Sequence, residues 1–504
     1  MTISPHCNEV AQMTSTVSLE HADSVRRTVA SKTDRKLKSA LGQFMTPSSV
    51  ARFMAEMFPS SALQSCRLLD AGAGVGALSC AFLDRWKAGD FRFNMVDATA
   101  YEIDKKLLPH LVEHLVGYSG VSSNVIEGDY IELTARPEVF SPEYTHAILN
   151  PPYKKISSSS ANRLALRTVG IETVNLYSAF VALAIAQMAL GGQVVAIIPR
   201  SFCNGPYYKP FRNFILERAA IHHIHLFNSR STAFKDDEVL QENIIIRMEC
   251  GGKQGDVIIS TSTDDSFSDL ESNKHPFNRI VFPDDSESFI HVPTSLEQSA
   301  IEQSNDVRCS PDDVGVKIST GPVVGFRMKS HLRELPESGT VPLLYPNHFD
   351  KFGFGIVWPG ESRKKPSAIL RNEETEKWLY PAGFYCLVRR FSSKEETRRI
   401  VARVLDPAEL GEHHMVGLEN YFNVFHDKKK GLQKELAYGL AVYLNSTAVD
   451  QQFRRFNGHT QVNATDLKLM KYPSRETLIN LGSWAMKQAE MDQGSIDRKM
   501  EDIL

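Results

Sequence analysis

The run Cys66-Arg67-Leu68-Leu69-Asp70 ends in an acid and passes directly into Ala71-Gly72-Ala73-Gly74-Val75-Gly76, with a helix-forming stretch from about Ala77. Strand, glycine turn and helix in that order form a β–α unit, and a chain of such units closes as an α/β sheet with helices on both faces. Glycines let the turn take positive φ and let its backbone approach a ligand closely. Gly72, Gly74 and Ala77 also satisfy the spacing of a dinucleotide fingerprint.

Asp70 argues against a dinucleotide. A carboxylate at the strand end, facing the turn, repels a pyrophosphate and attracts an ammonium group. S-adenosylmethionine carries an ammonium and a sulfonium and no phosphate, so it is the expected cofactor, ahead of NAD. The following strands are read the same way. Phe93 to Ala100 is a strand with Tyr101-Glu102-Ile103-Asp104 at its end. A carboxylate there accepts hydrogen bonds from ribose hydroxyls, with Glu102 the choice and Asp97 its competitor. Asn124 to Ile126 leads to Asp129, expected at the adenine amine, and Tyr130, expected as a stacking wall. Upstream, Thr46-Pro47 reads as a helix start, a capping hydroxyl followed by proline. Val50, Phe53, Met54, Met57 and Phe58 then repeat at helical spacing. The preceding loop, with Gly42, Gln43 and Phe44, is free to line a pocket.

A further buried strand, Ala147-Ile148-Leu149, delivers Asn150-Pro151-Pro152-Tyr153. The two prolines stiffen the turn and donate no N–H. An amide, a free carbonyl and an aromatic form a cup that accepts two hydrogen bonds from an –NH2 group and offers a face for stacking. That suits the exocyclic amine of a base taken out of its helix. Asn175 to Leu190 reads as an apolar helix and Val194 to Pro199 as a buried strand, with further strands around Ile224 and Ile245. Phe234, on the polar loop between those two, is positioned to stack on the second face of such a base or to anchor the loop.

A length of 504 residues allows two or three domains. No run reaches the roughly 18 apolar residues of a membrane span, and the N-terminus lacks a secretory signal, so a cytoplasmic protein is expected. Seven scattered cysteines without a CxxC pair read as reduced thiols, with no metal site. The formal net charge of −3 gives no global pull toward nucleic acid. Residues 1–40 are mildly basic through Arg26, Arg27, Arg35, Lys36 and Lys38 and read as a basic arm or a surface helix. A Ser-rich, acidic stretch, placed at 256–310, reads as a connector. Beyond it, strands are expected at Val316–Ser319 and Val323–Arg327. Cations gather at Arg389, Arg390, Lys394, Arg398, Arg399 and Arg403, at Lys428–Lys430, and at Arg454, Arg455, Lys468 and Lys471, with aromatics between them. Several such clusters in one half of the chain point to nucleic acid.

Taken together, the chain resembles a gamma-class, TaqI-like N6-adenine methyltransferase of bacterial type II restriction–modification systems. The motif order carries the resemblance. Only about eighty residues separate the glycine turn from Asn150, and about 250 follow the catalytic half. The resemblance implies a Rossmann-like class I methyltransferase sheet over 41–255 and a mixed α+β target-recognition domain over 311–504. It also implies that Phe44, Thr46 and Pro47 cap the cofactor pocket and Asp70 to Gly76 cradle its methionine part. Asn150, Pro151 and Tyr153 hold the target base, and Phe234 covers its other face. Ala71 departs from the proline often found after the acid. The partners implied are double-stranded DNA and a cognate restriction endonuclease, with no membrane, for a monomer or weak dimer that modifies without cutting. N4-cytosine transfer shares the same cup, as do guanine-N2 RNA and protein-glutamine methyltransferases. A catalytically silent DNA-specificity subunit is the reading from another class, and intact Asp70, Glu102, Asp129 and Asn150 speak against it.

Overall fold

The computed structural model describes residues 18–32, 45–61, 63–137, 143–228, 242–283, 285–296, 299–349, 355–356, 365–393, 395–457, 460–488 and 491–504. The chain forms two compact units, Met1–Arg200 with Pro210–Phe277, and Ser201–Lys209 with Asn278–Leu504.

The first unit is built on nine strands: β1 Ser65–Ala71, β2 Met95–Glu102, β3 Val121–Glu127, β4 Tyr144–Leu149, β5 Met188–Pro199, β6 Ala219–Phe227, β7 Asn243–Cys250, β8 Val257–Ser262 and β9 Glu271–His275. Their order is β3-β2-β1-β4-β5-β7-β6-β8-β9. The first five run parallel, and β7 is antiparallel to both β5 and β6. This is the Rossmann-like class I methyltransferase sheet that the resemblance implies. Successive residues of a strand face opposite ways, and Leu68, Leu69, Ala147, Ile148 and Val194 to Ile198 are all fully buried. Both faces of the central strands are therefore covered, which explains why these strands are continuous apolar runs. The chain winds outward from β1 through β2 to β3, then returns to the other side of β1 as β4. The carboxyl ends of β1 and β4 thus meet at a topological switch point, where open α/β sheets bind ligands.

Several sequence expectations shift. The apolar helix stops at Ala186 and β5 begins at Met188. The ladder then jumps from Met188 to Gln193 opposite Tyr144 and His146, with Gly191 at φ 77°, so the residues between bulge out of the strand. The acidic stretch holds the passage between the two units, at Phe277 and Asn278, but its first part is regular structure. Its first part supplies β8 and β9, and Asp264 and Asp269 lie in the turn between them. Asp269 accepts Thr263 N and Oγ1, and Asp264 accepts Ser266 N and Oγ. Such short-range bonds are what acids do in turns, so the first part of this composition marks a turn within the sheet. The N-terminal helix Leu19–Lys32 buries Leu19, Ala22 and Arg26, and the Arg26 guanidinium is spent on Asp23 at 2.7 Å.

The second unit contains a four-stranded antiparallel sheet, Lys317–Thr320, Phe422–His426, Tyr385–Arg389 and Ala402–Leu405, and a five-stranded sheet. Among the described residues five helices follow: Lys434–Leu444, Thr447–Phe456, Ala464–Leu469, Arg475–Ala485 and Gln493–Glu501. It is mixed α+β, as expected. The strand expected at Val323–Arg327 is a single bridge from Val323 to Glu419 and then a 3-10 turn at Gly325–Arg327. The arginine clusters are largely internal wiring. Arg399 is 1% exposed and donates to Asn457 Oδ1 and Ser392 Oγ. Arg398 donates to the Ser446 carbonyl, Arg389 pairs with Glu396, Arg454 with Asp450 and Arg455 with Glu302. Some of these partners are remote in sequence, as Ser446 is for Arg398, Asn457 for Arg399 and Glu302 for Arg455, while Glu396 and Asp450 lie close to Arg389 and Arg454.

Candidate active site

A cavity of about 410 Å³ opens at the carboxyl ends of the parallel strands, lined among others by Thr46, Gly72, Gly74, Glu102, Asp129 and Asn150. The glycine turn after β1 is fastened to the end of β2. Gly72 N and Ala73 N both donate to the Tyr101 carbonyl, at 2.9 and 3.0 Å, and Gly74 N donates to Glu102 Oε2 at 2.7 Å. Gly74 has φ 59°, and a Cβ there would meet nothing within 4 Å, so the turn presents bare backbone.

Glu102 is the last residue of β2 and is 3% exposed. Its other oxygen accepts Asp104 N at 2.7 Å. Burial raises its pKa, and hydrogen bonds from the backbone amides of Asp104, Gly74 and Ile103 oppose that rise. A carboxylate oxygen accepts more than one hydrogen bond, which suits a ribose diol.

Asp129 lines the cavity. It is the N-cap of a short helix, Tyr130–Thr134, and its Oδ1 accepts Ile131 N and Glu132 N, while Oδ2 accepts Asn162 Nδ2 at 3.2 Å. Tyr130 opens that helix and is 1% exposed. Its hydroxyl donates to Gln187 Oε1 at 2.6 Å, and its ring packs between Tyr101 and Phe180. It belongs to the cavity wall as a fixed core residue.

Asp70 does not line the cavity. Its Oδ2 accepts the Ser79 hydroxyl at 2.6 Å, from the helix Ala77–Lys87 that the turn leads into. Its Oδ1 is buried without a partner among the described residues. Burial pushes its pKa up to about 7, against the Ser79 bonds, and Glu102 nearby adds to the rise. The unfolded chain holds this acid near 4. Between those values only the folded state keeps the proton, so this group's contribution to stability falls as pH rises from about 4 to about 7 and is level above. Asp70→Asn, which cannot ionise, is expected to gain about 2–3 kcal/mol on the wild type between pH 5 and pH 8. Urea unfolding of both proteins across that range reads the gap; a gap independent of pH contradicts the assignment.

Thr46 does not cap the helix Ser48–Glu56. Pro47 occupies the cap position, makes no side-chain bond and does not line the cavity. The Thr46 hydroxyl, 5% exposed, instead accepts Asn150 Nδ2 at 2.9 Å. That bond ties the Asn150 amide to the entry of the helix Ser48–Glu56. The Asn150 oxygen accepts the Tyr153 hydroxyl at 3.3 Å, and the same hydroxyl lies 3.3 Å from the Ile197 carbonyl. Pro151 is buried and Pro152 lines the cavity. Burial raises the Tyr153 phenol pKa, so it stays a neutral donor. The calls on Gly42, Gln43 and Phe44 and on Phe234 fall outside the described residues.

Sequence reasoning missed Phe180, Asn162, Lys154 and Lys155, which also line the cavity. Phe180 was hidden in a helix apolar all round, which reads as core. The two lysines were legible, since they follow Tyr153 directly.

The residues present fit S-adenosylmethionine better than a dinucleotide. Binding a pyrophosphate on a glycine turn takes free backbone N–H groups. Here the N–H groups of Gly72, Ala73, Gly74 and Gly76 all have protein acceptors, one of them a carboxylate.

Known proteins resemble this chain in sequence and fold. Residues 5–234 match the family described as Eco57I restriction-modification methylase. The chain is 53% identical to the type II methyltransferase M.BsuBI of Bacillus subtilis over 481 residues, 93% of this chain and 95% of that protein. It is 41% identical to the type II methyltransferase M.PstI of Providencia stuartii over 491 residues, 94% of this chain and 95% of that protein. Among solved structures, the DrdV-DNA complex shares the fold with a TM-score of 0.53 at 12% identity, over 93% of this chain and 59% of that one. Over nearly its whole length, then, this chain belongs to the type II DNA methyltransferases of restriction–modification systems, and its methyl donor is S-adenosylmethionine.

Proposed function

We propose that the chain is a gamma-class enzyme that methylates the N6 amine of an adenine flipped out of a specific duplex DNA sequence. The observation that carries this is the Asn150 amide. Its nitrogen donates to Thr46 and its oxygen accepts the Tyr153 hydroxyl; an amide oxygen has two lone pairs and takes a second donor, and the Pro151 carbonyl follows at once in a turn whose two prolines carry no N–H. Those two acceptors take the two N6 hydrogens of the base. The amine is drawn from planar toward tetrahedral, and its lone pair is freed for in-line attack. S-adenosylmethionine supplies the electrophilic methyl group. The chain's contribution is placement and fixed dipoles, with no protein nucleophile.

Glu102 holds the ribose hydroxyls, the turn from Asp70 to Gly76 holds the methionine part, and Asp129 and Tyr130 border the adenine of the cofactor. Phe44 closes the cofactor pocket, and Phe234 stacks on the target base. The second unit reads the target sequence, and the methyl mark protects that sequence from a cognate endonuclease. Incubating purified protein with unmethylated duplex DNA and tritiated S-adenosylmethionine, then digesting to nucleosides, tests the assignment. N6-methyladenine is the expected product. N4-methylcytosine would overturn the choice of base, and no labelled nucleoside would overturn the reaction.

A further inference from the structure

Glu102 and Asp129 lie side by side in the cavity wall, because Gly128 N donates to the Glu102 carbonyl at 3.0 Å. With the cofactor ribose on the Glu102 carboxylate, the adenine is one glycosidic bond away, within reach of Asp129 and of whatever Asp129 holds. What it holds is Asn162, whose Nδ2 donates to Asp129 Oδ2 at 3.2 Å, while Oδ1 is taken by the two amides of the Asp129 helix. Asn162 lines the same cavity from another helix, Ala161–Thr168. That helix is fixed on its own account. The Ser160 hydroxyl accepts Arg163 N at 3.3 Å, Leu166 is fully buried, and Glu172 accepts Arg163 Nε at 2.8 Å and Arg167 Nε at 2.6 Å.

The Asp129 contact decides the orientation of the Asn162 amide. A carboxylate oxygen only accepts, so the amide turns its nitrogen to Asp129 and its oxygen away from it. That leaves an acceptor oxygen and a second N–H, a pair that matches the amine and a ring nitrogen along one edge of adenine. Reversed, the same amide would match the oxo group and ring N–H of hypoxanthine, the deaminated base.

We infer that Asn162 reads the adenine of S-adenosylmethionine, its side-chain oxygen accepting a hydrogen of the N6 amine, and that Asp129 is the positioning residue that keeps the amide from turning over. This rests on the ribose placement at Glu102 proposed above. The pair makes the pocket selective for an adenosyl group over its deaminated counterpart, which a ribose contact and an aromatic wall alone do not distinguish.

Calorimetry without DNA tests this, with S-adenosylhomocysteine and S-inosylhomocysteine as the two ligands. The wild type is expected to bind the adenosyl compound at least about tenfold more tightly, because the inosyl one sets donor against donor and acceptor against acceptor. Asn162→Ala is expected to lose about tenfold in affinity for the adenosyl compound and little for the inosyl one, so that the preference closes. Asp129→Asn keeps a residue that caps a helix about as well. With its oxygen on the helix it offers an N–H to Asn162 and reverses that amide, so the preference is expected to narrow by about tenfold there too. A wild type that binds both compounds equally would overturn the inference. So would an Asn162→Ala variant that loses both compounds to the same extent, the mark of a brace between helices. If Glu102→Gln weakens both compounds while Asn162→Ala changes neither, only the Asn162 assignment fails. If neither variant changes either affinity, the ribose placement fails with it.

Discussion

Asn150→Ala is expected to lower methyl transfer at least about 10²–10³-fold, the loss seen when one preorganised hydrogen-bond partner is removed from a reacting centre. Affinity for S-adenosylmethionine is expected to change less than about twofold, because the cofactor contacts proposed for the glycine turn and Glu102 do not involve the Asn150 amide. The structure adds a sharper companion. Thr46 touches no reacting atom; it is a positioning residue that holds the Asn150 nitrogen. Thr46→Val keeps the shape and removes the acceptor, so the amide can turn over and present its NH2 to the base amine. A fall in kcat of about tenfold is expected there, with the KM for DNA nearly constant and Thr46→Ser restoring the rate. Single-turnover transfer with tritiated cofactor measures both variants. Full activity in Asn150→Ala would remove the proposed cup altogether, whereas full activity in Thr46→Val would remove only the lock.

The sequence shows the chemistry a residue carries but not the partner it finds, and the outcomes divide along that line. Strand, acid, glycine turn and helix come from local backbone preference and hydrophobic runs, so β1, β4 and the turns after them were legible. Glu102 was placed at a strand end because the end of an apolar run marks it. The roles that depended on a distant partner were not legible. Thr46 has the sequence of a helix cap, yet its hydroxyl serves an amide 104 positions away. Asp70 looked like a carboxylate facing its turn, and Ser79 draws one of its oxygens toward the helix instead. Asp129 looked like a free acceptor, and its own helix takes one oxygen while Asn162 takes the other. The basic runs of the second unit read as a surface, and Arg399 proved to be a buried strut.

A second large effect comes from two glycines that attracted no attention in the sequence, Gly439 and Gly482. They lie in the middle of the helices Lys434–Leu444 and Arg475–Ala485, where glycine is a poor choice, about 1 kcal/mol below alanine. The structure supplies the reason. A Cβ on Gly439 would lie 2.7 Å from the Leu478 carbonyl carbon and closer still to its oxygen. A Cβ on Gly482 would stand in the same relation to Glu435, again 2.7 Å from the carbonyl carbon. The two helices therefore touch backbone to backbone, and no rotamer change can make room, because the obstacle is main chain on both sides. Gly439→Ala and Gly482→Ala are each expected to destabilise the second unit by about 2–3 kcal/mol, the overpacking penalty less the gain in helix propensity. The double variant is expected to cost less than the sum, since separating the helices once relieves both clashes. Gly494→Ala, in the exposed first turn of Gln493–Glu501, meets the far end of the Arg498 side chain at 3.3 Å and Asp492 Oδ1 at 3.8 Å, with no backbone in the way, and is expected to be near neutral. Urea unfolding followed by circular dichroism reads all four proteins, and calorimetry with S-adenosylmethionine checks that cofactor affinity, a property of the first unit, is preserved. Wild-type stability in either single variant would mean that these helices do not meet at their glycines.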